Sequence, residues 1–340
     1  MYKPQYTITN KILENVSEIE AANQIILNIN LLSDWEEKLQ KVAIIKRIKH
    51  EGALSGVKLS KKLIKQFLNK MENEEGKIRN IQEIINFKKA NEFIKQNKDK
   101  ELKENIIHEL HRIIVQNILP KEIAGNLRLE DAEIYDLKFR QLEYETVDPG
   151  QLPIELKDLI RWYNNSKVNE ILKAGIVQYE IMRIHPYYDA NGRVGRMLCT
   201  WCLYSSGYDA KEFYSLEEHY DKDLIGYYKA LSTADEGDLT IWLEYFTEGL
   251  KEEFERLKNK VLQIFRGELK LDIETRFPKR QKKILDFVRK NKEIRRKDYI
   301  KLFPDLSDDT VLREIQRLRK LGYIRKVGKT KGTKYVLDTY

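Results

Sequence analysis

Apolar residues return every three to four positions along most of the chain, with charged residues between them, the pattern of helices that bury one face. Ile12, Leu13, Val16 and Ile19, continued by Ile25, Ile26, Ile29 and Leu32, predict helix within residues 10–32. Ser33-Asp34 supplies an N-cap for a helix from Trp35 that turns Leu39, Val42, Ile45 and Ile48 inward and stops near Gly52 to Gly56. Ser60 caps another over residues 61–70. The charged run 73–79 reads as an exposed connection. Beyond it, Ile81, Ile84, Ile85, Phe87, Phe93 and Ile94 mark one helix, and Leu102, Ile106, Ile107, Leu110, Ile113 and Ile114 another.

The helical period breaks at Gly125-Asn126-Leu127-Arg128. Loose alternation through Ile134, Tyr135, Leu137, Phe139 and Leu142, ended by Pro149-Gly150, predicts a β-hairpin. A helix over 153–164 follows, then a strongly apolar one over 168–184 that delivers His185 at its end. Asn191-Gly192 opens the next helix, 193–205, with Val194, Met197, Leu198, Trp201 and Cys202 on its inner face. Helices over 220–233 and 239–265 complete a bundle. The tail predicts helices at 281–290, 297–303 and 310–321, the last capped by Ser307-Asp308-Asp309. Strands 323–327 and 334–337 then flank a basic turn, 328–332. The chain is thus mostly α.

Composition supports a soluble, ordered, helix-rich protein: 34% of the 340 residues are charged, yet Gly and Pro number only 16 and 7. Neither a signal peptide nor an apolar run of membrane-spanning length is evident, so a cytoplasmic location without membrane contact is expected. Charge separates the chain in two. Residues 276–340 carry 21 Lys and Arg against 8 Asp and Glu, a net +13, while residues 1–275 net −5. This asymmetry points to a C-terminal module with an anionic partner. Cys199 and Cys202 lie within an apolar helix and are expected to be core residues rather than redox or metal ligands.

The chemistry concentrates in His185-Pro186-Tyr187-Tyr188-Asp189-Ala190-Asn191-Gly192-Arg193-Val194-Gly195-Arg196. A turn into a helix N-terminus presents backbone N–H groups and a positive dipole to a phosphate. Arg193 and Arg196, three residues apart, can hold neighbouring phosphates. Asp189 is a hard oxygen ligand suited to magnesium, and His185 suits a general base that takes a proton from an attacking hydroxyl.

This stretch resembles the motif of the Fic (filamentation induced by cAMP) family, His-Pro-Phe-x-(Asp/Glu)-(Gly/Ala)-Asn-Gly-Arg-x-x-Arg, with Tyr187 in place of Phe. Gln82-Glu83-Ile84-Ile85-Asn86, Glu109-Leu110-His111 and Gly125-Asn126-Leu127-Arg128 extend the resemblance over roughly residues 5–250. It implies a Fic-type helical bundle with a small β-hairpin flap, and transfer of AMP from ATP to a Ser, Thr or Tyr hydroxyl of a target protein or of the chain itself. His185 would be the base and Asp189 the Mg2+ ligand. Ala190, Asn191, Gly192, Arg193, Val194, Gly195 and Arg196 would bind the nucleotide. Tyr228, in Tyr227-Tyr228-Lys229-Ala230-Leu231, and Asp235, where many relatives have Asn, would border it. The acceptor would dock by strand addition on a hairpin near residues 137–147. Removal of AMP, or use of another nucleotide, stands as the alternative for the same site.

Relatives often carry an inhibitory (Ser/Thr)-x-x-x-Glu-(Gly/Asn) helix whose Glu pairs with the motif's last Arg, and two registers compete here. Aligning Gly56 and Leu59-Ser60 puts Glu51 in the Ser/Thr slot and Ser55 in the Glu slot, so the usual carboxylate is absent. Aligning Glu51-Gly52 directly puts Arg47 in the Ser/Thr slot. The first is preferred, although Glu51 could reach Arg196 from the same face as Ser55. The expected domains are an N-terminal helical region with a degenerate inhibitory helix (1–75), a Fic domain (76–250), a helical linker (251–277) and a domain resembling a winged helix-turn-helix (278–340). In the last, Arg313, Arg317, Arg319 and Lys320 on the third helix and Lys329, Lys331 and Lys334 on the wing would meet duplex DNA. Winged helices also bind proteins; a DNA-binding regulator using the Fic domain as a sensor is a further alternative function. A homodimer is compatible with the chain.

Overall fold

The computed structural model describes residues 2–68, 79–136, 141–266, 278–320, 323–328 and 333–337. Two compact units emerge, one of residues 1–23 with 42–256, the other of 24–41 with 257–340. Among its described residues the first is helical apart from one hairpin. Its order is α1 (Asn10–Asn28), α2 (Ser33–Leu54), α3 (Lys61–Leu68), α4 (Arg79–Asn97), α5 (Glu104–Ile114), β1 (Glu133–Asp136), β2 (Gln141–Glu145), α6 (Leu152–Asn165), α7 (Glu170–Ile184), α8 (Asn191–Ser205), α9 (Glu217–Lys222), α10 (Leu224–Ala234) and α11 (Thr240–Phe265). The end of α1, the start of α2 and the end of α11 are counted in the second unit.

Helices α7 and α8 form the centre. Asn169 caps α7 by accepting from Ile171 N–H at 2.9 Å, which is why the helix starts two residues later than apolar spacing alone predicts. Residues 171–181 of α7 and 194–204 of α8 are buried throughout, as befits helices packed on several sides. Around them lie Trp201, Trp242, Tyr220, Tyr227, Phe246 and Phe254, all under 2% exposed. The buried indoles find partners: Trp201 Nε1 donates to Asn97 O at 3.0 Å and Trp242 Nε1 to Gly175 O at 2.8 Å. Cys199 and Cys202 are free and buried, and burial raises the Cys202 thiol to about 12, so both serve as core residues. The helix expected at 220–233 is divided at Asp223, whose carboxylate accepts from Gly226 N–H at 3.1 Å and caps α10.

Strands β1 and β2 pair antiparallel from Glu133↔Glu145 to Asp136↔Gln141. Residues 137–140, in the expected docking segment, lie outside the described residues.

The second unit contains α12 (Lys279–Asn291), β3 (Glu293–Arg295), α13 (Arg296–Leu302), α14 (Asp308–Lys320), β4 (Ile324–Val327) and β5 (Lys334–Leu337). Its sheet has the order β3-β5-β4, with antiparallel pairs. Three residues are too few to show alternation, so sequence reading missed β3; Ile294 points from it into a core with Ile284, Val288, Val311, Ile315, Leu318 and Tyr335. Arg313, Arg317 and Lys320 are exposed on α14, while Lys329 and Lys331 lie outside the described residues. Among the described residues, no helix is long and apolar enough to cross a membrane.

Candidate active site

The α7–α8 turn holds two non-glycine residues in left-handed conformation, His185 (φ 50°) and Ala190 (φ 68°). His185 ends α7. Its Nδ1 lies 3.2 Å from Met182 O, and because a carbonyl only accepts, Nδ1 carries the proton and Nε2 keeps its lone pair. Burial, reinforced by the charge of Arg128, lowers its pKa to about 4 against the smaller opposing effects of Met182 O and Asp189.

Tyr187 is fully buried, its ring stacked on His111 with centroids 3.8 Å apart and its hydroxyl 2.9 Å from His108 Nδ1. The substitution for Phe therefore adds a polar contact without opening the site. His111 Nδ1 accepts from Gly125 N–H at 2.8 Å, so its Nε2–H can donate to Asp189 O at 3.2 Å. Asn191, given to the phosphate cradle by the motif resemblance, has its amide committed to the turn. It accepts from Tyr187 N–H at 2.9 Å and donates to Tyr187 O at 2.7 Å.

The backbone donors divide in the same way. Ala190 N–H is taken by Asp189 Oδ1 at 2.5 Å, and Val194 N–H already bonds Ala190 O within the helix. The first-turn N–H groups of Asn191, Gly192 and Arg193 are thus those suited to an anion. Of the expected cradle residues Val194 and Gly195, Val194 is fully buried, and a Cβ on Gly195 would lie 3.0 Å from Gln178 O on α7. Both belong to helix packing. The Asp189 side chain is 48% exposed, with Oδ2 3.6 Å from Arg193 Nη2, and Arg193 also lies 3.9 Å from Glu83. One half-exposed carboxylate beside free N–H donors fits a magnesium ion that takes its other ligands from phosphate and water.

Arg196 points elsewhere. Its Nε donates to Glu51 Oε2 at 2.8 Å and its Nη2 to Oε1 at 2.5 Å, both side chains being at most 7% exposed, and Tyr227 Oη lies 3.3 Å from Nη1. Burial acts against the guanidinium charge, but Glu51 and Tyr227 together more than offset it, raising the pKa well above the usual value. The preferred register of the inhibitory element is therefore overturned. Ser55 Oγ is 3.4 Å from Glu51 Oε1, and it is Glu51 that pairs with Arg196. The two glycines explain the error. Gly56, at φ 75°, turns the chain at the end of α2, whereas Gly52, still inside α2, is where the returning segment packs against the helix: a Cβ there would lie 2.8 Å from Leu59 Cδ1 and 2.9 Å from Val57 O.

Helix α2 is fastened by more than Glu51. One turn earlier, buried Arg47 donates to Glu217 Oε1 (3.0 Å), Asn91 Oδ1 (2.6 Å) and Thr200 Oγ1 (3.0 Å). His50 Nδ1 lies 2.6 Å from Asp221 Oδ2, and Lys46 bonds Glu218. Sequence reading recorded Arg47 as a mismatch to Ser or Thr; its partners come from three distant segments, so no local signal revealed them. A cavity of about 30 Å³ remains between Glu51, Gly52, Glu83, Phe87, Arg193 and Met197.

Of the two downstream tyrosines, Tyr227 reaches Arg196, whereas Tyr228 is 39% exposed with its ring 5.3 Å from that of Tyr227. Sequence reading gave Tyr228 to the nucleotide border and did not foresee the contact of Tyr227 with Arg196. Asp235 accepts from Tyr179 Oη at 2.9 Å.

Residues 101–203 match the model of the Fic/DOC family, so this stretch is a Fic/DOC domain. Among curated proteins, the protein adenylyltransferase fic-1 of Caenorhabditis elegans is 28% identical over 175 residues, 49% of this chain and 32% of the relative. A probable protein adenylyltransferase of Aquifex aeolicus is 26% identical over 202 residues, 58% and 59% of the two chains. The matched portions thus span less than two thirds of either relative. A Fic family protein from Desulfovibrio desulfuricans shares the fold with a TM-score of 0.70 at 20% identity, over 99% of this chain and 98% of that one.

Proposed function

We propose that the chain is a protein adenylyltransferase that moves AMP from ATP to a hydroxyl of a target protein or of a second copy of itself. The observation that carries the reading is His185, neutral with its Nε2 lone pair available, beside the α8 N-terminus and the half-exposed Asp189. The curated relatives matched here bear that activity in their names. The N–H groups of Asn191, Gly192 and Arg193 hold phosphate oxygens, and the Arg193 guanidinium adds charge. His185 takes the proton of the acceptor hydroxyl as its oxygen bonds to the α-phosphorus and the bond to pyrophosphate breaks. Asp189 would hold magnesium, which neutralises charge on the phosphates. Intact-mass measurement after incubation with ATP should find one AMP moiety added to the chain, and His185→Ala should abolish it. Addition from UTP alone would reassign the nucleotide.

Glu51 is the brake in this reading. A phosphate that needs the Arg196 fork must displace a carboxylate that already fills it.

The second unit is read as a winged helix that binds duplex DNA. Support comes from three helices with a three-stranded antiparallel sheet, the exposed Arg313, Arg317 and Lys320 on α14, and the +13 charge of residues 276–340. A gel shift with duplex DNA that weakens steeply with salt is expected; an absent or salt-insensitive shift would assign the unit to a protein partner.

A further inference from the structure

Arg128 is one of the largest side chains the first unit buries completely, at 1% exposure. Its guanidinium serves main-chain carbonyls: Nε donates to His185 O at 2.8 Å, Nη1 to Glu130 O at 2.8 Å, and Nη2 to Val147 O. Its own N–H bonds Pro186 O at 3.0 Å. Residues 130 and 147 are the two feet of the hairpin, just outside paired β1 and β2. Thr146 Oγ1 closes the same neck by donating to Ala132 O at 2.6 Å, and Leu129 N–H donates to Tyr188 Oη at 2.9 Å.

Taking a guanidinium out of water is unfavourable unless its donors are met, and packing alone would be served by an apolar side chain. What an apolar side chain cannot do is reach three carbonyls at once; the planar fork of Arg can. One of the three lies at the C-terminal end of α7, where carbonyls lack helical partners and the dipole is negative. It belongs to His185, whose left-handed backbone needs an external hold.

We infer that Arg128 is a positioning residue that sets the spacing between the acceptor-docking hairpin and the His185 base by tying both hairpin feet to the His185 carbonyl. The inference rests on the adenylyltransferase reading. It explains how a flap joined to the bundle by two short necks presents a hydroxyl to the imidazole at one distance. Among the described residues Arg128 has no hydrogen bond to Gly192 or Arg193 of the cradle, so nucleotide binding lies outside its reach.

The test uses full-length chains in a Glu51→Gly background, so that the brake does not limit the rate, with His185→Ala protein at varied concentration as the acceptor. Because an ångström of misplacement costs on the order of 100-fold in rate, Arg128→Gln should lower transfer per acceptor encountered by about that factor. ATP affinity should stay within about 2-fold, the nucleotide being held by groups Arg128 does not touch. Arg128→Lys, which keeps the charge but not the fork, should fall in between. Faster hydrogen exchange at hairpin amides in both variants is also expected, with a modest fall in melting temperature from the carbonyls left unpaired. Transfer within about 3-fold of the parent in both variants would overturn the inference, as would transfer and ATP affinity falling in parallel, the mark of a merely structural role. Should the parent itself transfer nothing, the adenylyltransferase reading fails and takes this inference with it.

Discussion

Replacing Glu51 with Gln preserves volume and removes the charge that faces Arg196. At most one of the two N–H···O bonds survives, because the amide's NH2 end confronts an N–H donor. Breaking a buried ion pair from one side typically costs about 3–5 kcal/mol, mostly the penalty for the charge left behind. At roughly 2–4 °C per kcal/mol for a unit of this size, the ligand-free melting temperature should fall by roughly 6 °C or more. Activity should move the other way. If about 2 kcal/mol of the pair's strength opposes phosphate at Arg196, removing it raises AMP transfer about 30-fold. Self-labelling with radiolabelled ATP reads the second effect and a thermal melt the first. With ATP bound, the melting deficit should shrink, since phosphate oxygens replace the lost carboxylate. A lower melting temperature with unchanged labelling would refute the brake and leave Glu51 a structural residue.

Arg47→Met should act in the same two directions. It strands buried Glu217, costing about 3–5 kcal/mol, and loosens the helix turn before Glu51, so labelling should rise as the melting temperature falls. The pH dependence follows from His185, held at about 4 chiefly by burial. The acid limb of kcat/KM for the free enzyme should lie near that value rather than near ~6.5, measurable by initial rates from pH 4 to 8. Stability carries the same signature. His185 and His111, also lowered to about 4 by burial, stay neutral in the fold while the unfolded chain takes up protons below ~6.5. Stability contributed by their neutrality is present above that value and is lost as pH falls toward 4, which urea titrations at pH 7 and 5 would measure.

The helices and the polar identities of the central turn were legible because each depends on residues close in sequence: apolar spacing, caps, and a histidine, an aspartate and arginines within twelve positions. What the motif alone did not show was how its residues divide the work of the turn. Asn191, Val194 and Gly195 share a motif with Arg193, yet one amide ties the loop and two residues pack the helix, a division that depends on which way each bond points. The register of α2 failed because what separates Gly52 from Gly56 is the approach of Leu59 and Val57 to the first and the left-handed backbone of the second, neither of which residue identity reveals. Arg128 and Arg47 were named in the sequence, but their roles stayed hidden for a topological reason. Their partners at 130, 147 and 185, and at 91, 200 and 217, converge only after folding.

The left-handed backbone at His185 has a consequence for how such a protein can be improved. A residue with a Cβ held in that region forfeits about 1 kcal/mol or more that glycine would recover. Set against glycine's chain entropy and the lost Nδ1–H bond to Met182 O, that gain gives a library sorted for heat resistance alone little reason to keep the imidazole proposed as the base. The hardiest descendants of this sequence could keep the bundle and lose the chemistry, so any sorting scheme must weigh nucleotide transfer alongside survival.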